Sequence, residues 1–220
     1  MITPLKKISL KQLCHQPVMF DANIFMVGIV DRGSDPHCSF ENIRELYLIP
    51  IFENFQDIYI HQMVYLELDQ DARTFIDGYI GKSVTVVEEN NLYAVDPTYT
   101  TIFNNISQHE RVLYTRGDSK DSGEVYSLAY AAHNGINYFS SKEIMVDDIA
   151  RDLKDLKDIE IITFDIIVLL SYVHYMDKED TSKNKALKSG YKKYCEDVIR
   201  RHKLPPTLKE YFIASQDYLL

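Results

Sequence analysis

Val18-Met19-Phe20-Asp21-Ala22-Asn23-Ile24-Phe25 decides how the chain is read. Three apolar residues run straight into a carboxylate, and an Asn stands two positions on. A short apolar run of this kind reads as a buried strand whose C-terminal end presents Asp21. Ile58-Tyr59-Ile60, Val84 to Val87, Ile136 to Ser140 and Ile159 to Thr163 are further short strand-like runs. Helical patterns lie between them. Phe40 to Phe55 has helical spacing, with Pro50 as a break or a fresh start. A helix starts at about Val64 and carries Glu67. Tyr99 to Ile106, Glu124 to Asn134, Val146 to Leu156 and an apolar segment at about 165–175 complete the set, and Gly135 suits a C-terminal cap. Strands that alternate with helices predict an α/β fold, three-layer α/β/α around a mostly parallel sheet.

The composition is that of an ordinary globular chain: 220 residues, 45% hydrophobic and 26% charged. Disordered, collagen-like and low-complexity classes are excluded. The longest apolar stretch, Ile159 to Met176, is interrupted by Glu160, Asp165 and His174. A membrane-spanning helix needs about 20 nearly uncharged residues, so no membrane span is expected. The N-terminus has no apolar run of signal-peptide length, and the expected location is cytoplasmic. Cys14, Cys38 and Cys195 are scattered and odd in number, which predicts reduced thiols and no disulfide framework.

Charge is uneven. The formal net charge is −9, yet Lys183 to Lys209 holds nine Lys/Arg against two acids. That segment is +7 and the remainder −16. The polar run Asp177 to Ser182 reads as a linker. The expected organisation is therefore residues 1–176 as the α/β domain and residues 177–220 as a basic amphipathic helical extension. Its apolar stripe is Leu187, Tyr191, Tyr194, Cys195, Val198 and Ile199.

Sites in open parallel sheets form at the C-terminal edge of the strands. Four acids are placed to gather there. Asp21 ends the first strand, Glu67 lies in the helix after the second, and Asp121 and Glu124 open the helix before the 136–140 strand. Clustered carboxylates suit a hard divalent cation, Mg²⁺ or Mn²⁺, and the hydrolysis it supports. Asp121 and Glu124 also have the spacing of a helix capping box. No nucleophile elbow, dinucleotide fingerprint or P-loop is present, and the seven histidines show no ligand spacing.

Phe20-Asp21-Ala22-Asn23-Ile24-Phe25 resembles the opening signature of PIN-domain proteins. Val64-Tyr65-Leu66-Glu67-Leu68 is similar to their second acidic motif. Asp121-Ser122-Gly123-Glu124 resembles the Asp-x-Gly-Glu helix start of a PIN-like subgroup, and Asn134 to Ser140 fits the segment that follows. The resemblance covers roughly residues 16–165. It implies a PIN-like fold and Mg²⁺- or Mn²⁺-dependent cleavage of RNA, often single-stranded. Asp21, Glu67 and Glu124 would be the metal ligands, and Asp121 an additional catalytic acid. Asn23, Ser140, Ser141 and Lys142 would be on the substrate side.

One departure stands out. The family places an acid after the hydroxyl that ends this strand, and here Ser141 and Lys142 occupy the place. Glu143 and Asp147 follow as the acids able to compensate. The competing expectation is a catalytically degenerate PIN-like module that binds RNA or a protein through the basic tail. A protein inhibitor, as for a toxin-type nuclease, and a homodimer are further open readings.

Overall fold

Five short strands form one sheet in the order β3-β2-β1-β4-β5: β1 (Pro17–Phe20), β2 (Asp57–His61), β3 (Val84–Val87), β4 (Tyr138–Ser140) and β5 (Glu160–Ile162). The computed structural model describes residues 8–26, 39–89, 91–115 and 122–219. Strand β1 pairs in parallel with β2 (Val18 opposite Ile58, Met19 opposite Tyr59) and with β4 (Met19 opposite Phe139, Phe20 opposite Ser140). Strand β3 lies parallel to β2. Val18, Met19 and Phe20 point alternately to the two faces of the sheet, and all three have no solvent exposure. Both faces are therefore covered, as an α/β/α architecture requires.

The chain leaves β1 for β2 on one side and returns to β4 on the other. The strand order thus reverses at the β1/β4 boundary. A crevice opens outside the strand ends at such a switch point, and Asp21 and Ser141 are the residues that follow the two strands there.

Two compact units divide the described residues. One takes Pro17–Ile24 and Asp57–Ile161; the other takes the described parts of Met1–Gln16, Phe25–Gln56 and Ile162–Leu220. The first unit holds the sheet and a core built on Met19, Ile106, Leu128, Phe139 and Ile149. Its helix Pro97–Ser107 starts where Asp96 accepts the amides of Thr98 (2.8 Å) and Tyr99 (3.1 Å), with Pro97 supplying a ready-made first turn. Helix Ser122–His133 presents Val125, Leu128 and Ala129 to that core. It stops at Gly135, whose φ of +70° places the next amide, that of Ile136, on the Ala131 carbonyl at 2.9 Å.

In the second unit, helix Phe164–Asp177 is buried almost all round, which explains its largely apolar sequence; Asp165, Ser171 and His174 are buried with the rest. At 14 residues it is about 21 Å long. Among the described residues, no helix is long and apolar enough to cross a membrane. The 40–54 segment stays helical through Pro50. A π-helical turn at Arg44–Leu48 widens the backbone just before the proline. That relieves the ring's clash with the preceding carbonyl, so no break occurs. The C-terminal helices Thr181–Tyr194, Glu196–His202 and Leu208–Ala214 belong to this same unit. They bury Leu187, Tyr191, Cys195, Val198 and Tyr211.

Candidate functional site

Asp21 has no solvent exposure. Its Oδ1 accepts the Ala22 amide at 2.7 Å, and its Oδ2 accepts the Ser141 hydroxyl at 3.1 Å. The second bond ties the end of β1 to the residue after β4. Ser141 uses its full hydrogen-bonding capacity. It donates to Asp21 and accepts from Asn23 Nδ2 (3.2 Å) and from the Glu143 amide (3.0 Å). Asn23 Oδ1 in turn accepts the Lys142 amide at 2.9 Å. Asn23 and Ser141 are thus the clamp that holds Asp21. Ser140 is fully buried and contributes its carbonyl, which takes the Asp21 amide at 3.0 Å. The hydroxyl that reaches Asp21 belongs to Ser141.

Burial pushes the Asp21 carboxyl up to about 7. Its hydrogen bonds to Ala22 and Ser141 pull it back down, and the charges of Glu67 and Glu143 push it up again. The charges of two acids from separate places in the chain therefore bear on Asp21.

Glu67 is not near a helix start. Helix Gln62–Glu67 ends on it, and Leu68 is extended. The reason lies in two caps. His61 Nδ1 accepts the Met63 amide at 3.2 Å and begins the helix early. Asp69 accepts the Ala72 amide at 2.9 Å and opens the next helix, Gln70–Asp77. A carboxylate at the C-terminal end is disfavoured by its own helix. The Glu67 carboxylate lies instead against the first turn of helix Ser122–His133, whose positive end suits it. A Cβ built on Gly123 would stand 2.8 Å from Glu67 Oε1 and 3.0 Å from Oε2. Gly123 is the residue that lets the acid approach.

Gly123→Ala should therefore separate stability from activity. Thermal stability stays unchanged or rises slightly, because alanine favours the helix by ~1 kcal/mol and the far end of an exposed Glu gives way cheaply. The Glu67 carboxylate is displaced. Any turnover that depends on the Glu67 carboxylate should fall by at least ~10-fold, since small misplacements of a reacting group cost that much or more. Thermal melts beside activity assays test this, and a large loss of stability with full activity would refute it.

Glu124 is half-buried in the first turn of the same helix. Asp121 lies outside the described residues. Glu143, exposed in the loop after β4, is an acid that the motif spacing skips in favour of positions 141 and 142. Its signal is local: a Ser whose hydroxyl can accept the amide two residues on is a turn former. Asp147 turns toward Arg151 at 3.9 Å instead. His61 is stacked on Tyr126 at 5.6 Å, and burial pushes its imidazole down to about 4. It is neutral at physiological pH and serves as a cap.

No family model matches the chain, and no curated protein or solved structure matches it.

The donor set is all oxygen and all anionic, which is hard-cation chemistry. Among the described residues, no three acidic, His or Cys side chains form a ready cage for an ion. Mg²⁺ does not need one. It commonly takes one or two carboxylates, keeps several waters and completes its shell with substrate phosphate. Buried Asp21, with Glu67 and Glu143 facing it electrostatically, fits that mode.

Proposed function

We propose that the chain is a metal-dependent ribonuclease of PIN-like type that hydrolyses RNA phosphodiesters, acting in the cytoplasm. One observation carries the reading: a fully buried carboxylate at the end of the central strand, clamped across the switch point and under the charge of two other acids. Burying such a group without a counter-charge is costly, and a divalent cation supplies the counter-charge. Asp21 and Glu67 would hold Mg²⁺ or Mn²⁺, with Glu124 as the third ligand of the motif and Glu143 in the place of the family's fourth acid. When bound, the ion activates water for attack on phosphorus and neutralises charge that develops on the phosphate oxygens. Ser141 and Asn23 fix the Asp21 carboxylate, so the ligand is oriented before substrate arrives. The first turn of helix Ser122–His133 adds backbone amides that favour anions.

The second reading, a degenerate module that binds RNA or a protein partner, is favoured by Lys142 in the acid's place. Calorimetry with Mn²⁺ separates the two. The nuclease reading expects saturable Mn²⁺ binding and cleavage of single-stranded RNA that stops with EDTA. Glu67→Gln should lower cleavage by ~100-fold while the fold melts as before. Absence of both Mn²⁺ binding and cleavage leaves the binding module.

A further inference from the structure

Helix Thr181–Tyr194 carries five lysines and no acid. One side of it is spent on folding: Leu187 and Tyr191 have no solvent exposure, and Cys195 just beyond is also buried. Lys183 is spent too. Its ammonium is paired with Glu45 at 2.7 Å and lies 4.7 Å from the Tyr175 ring centroid.

Lys185, Lys188 and Lys192 are different. All three are exposed, and their spacing places them within an arc of about 60° along roughly 10 Å of helix. Among the described residues, no carboxylate pairs with any of them; Lys188 lies only near the Tyr172 ring, at 5.4 Å. Like charges at these spacings repel and weaken a helix. The row therefore works against folding, in a chain whose other parts are strongly acidic.

We infer that the Lys185–Lys188–Lys192 row is the surface that takes the phosphodiester backbone of single-stranded RNA. The inference rests on the nuclease reading for the identity of the polyanion. The row itself argues for a linear anion: three cations about one helical turn apart, on a rigid element, with nothing opposite them. A lipid surface fits less well, because a membrane-lying helix offers an apolar face beside its cations, and this helix has buried its own. The acidic remainder of the chain confines such binding to this face by repelling polyanions elsewhere.

The test uses the full chain, a fluorescently labelled 20-mer of oligouridine and EDTA buffer, so that affinity is read without cleavage. Each phosphate neutralised on a single strand contributes about −0.7 to the slope of log K against log salt. Lys185→Gln/Lys188→Gln/Lys192→Gln should make that slope shallower by about 2 and weaken binding at least ~10-fold at low salt. The same triple change at Lys82, Lys154 and Lys157, exposed lysines of the other unit, should leave both as they are. Unchanged affinity and slope in the 185/188/192 variant overturn the inference. So does row-dependent binding to phosphatidylserine vesicles by a chain that does not bind the RNA. Mn²⁺ calorimetry on the same samples keeps the two ideas apart. The row variant should retain metal binding, whereas a wild type that binds RNA through the row but never binds Mn²⁺ refutes the nuclease and leaves the surface standing.

Discussion

Asp21→Asn should abolish the proposed metal-dependent cleavage and, in metal-free buffer at pH 8, should make the folded chain more stable. Both effects come from one carboxylate. In the unfolded chain Asp21 ionises near its ordinary value of 3.8, but in the fold burial holds it to about 7. Between those values the folded state keeps a proton that the unfolded state has lost. Stability therefore falls as pH rises from about 4 to about 7, and the loss is complete above it. A rise of that size in a carboxyl's pKa removes ~4 kcal/mol of folding free energy across the range. Asn carries no charge to bury and can keep the acceptor contact to Ala22. The stability difference between variant and wild type should thus grow by ~4 kcal/mol from pH 4 to pH 8, which urea melts in EDTA measure directly. Mn²⁺ should stabilise the wild type at pH 8 and leave Asp21→Asn where it was. A difference that does not change with pH would mean that Asp21 carries no buried charge.

Tyr211→Phe should cost ~2 kcal/mol at neutral pH and loosen the C-terminal helices. The Tyr211 hydroxyl donates to buried Asp165 Oδ2 at 2.6 Å, and Thr163 Oγ1 donates to Oδ1 at 2.5 Å. Burial raises the Asp165 carboxyl, and these two donors hold it down. Removing one takes a donor from a buried carboxylate, and bonds to charged groups are worth ~1.5–3 kcal/mol. The sign with pH is fixed. Without the phenol Asp165 titrates higher still, so the variant's deficit grows as pH rises through the titration of the folded Asp165 carboxyl. Tyr191, stacked on Tyr211 at 5.8 Å, should remain packed. Hydrogen exchange over Leu208–Ala214 and Thr181–Tyr194 should speed up while β1 and β4 stay protected. A deficit that is the same at every pH would contradict the assignment.

The sheet was legible because its strands are short apolar runs bounded by turns or acids. Val84 to Val87 is a strand over that same range, and 18–20, 58–60 and 159–163 shift by a residue or two. Two local effects escaped the pattern. The caps at His61 and Asp69 decided which end of its helix Glu67 occupies, and capping side chains do not register in hydrophobic periodicity. The π-helical turn ahead of Pro50 was the other: the proline sits in the first turn of Ile49–Asn54, the fresh start it allows, yet the backbone stays helical on both sides. In the site, Asp21 was legible from the acid that ends a buried run. The clamp was not, because Ser141 and Asn23 lie 118 residues apart and only the strand order brings them together. The resemblance read from the sequence predicts a carboxylate after β4, where the chain has Ser141 and Lys142. Ser141 is instead the partner of Asp21, and the charge of Glu143, in the turn beyond, raises that carboxyl.

The central position of β1 has a consequence for synthesis. Asp21 is translated 120 residues before its hydroxyl partner. At ~5–20 residues per second the delay is ~6–24 s. Throughout that interval the growing polypeptide owns the first acid and lacks the turn that orients it, so the pocket is born only when the second half of the sheet closes over the first.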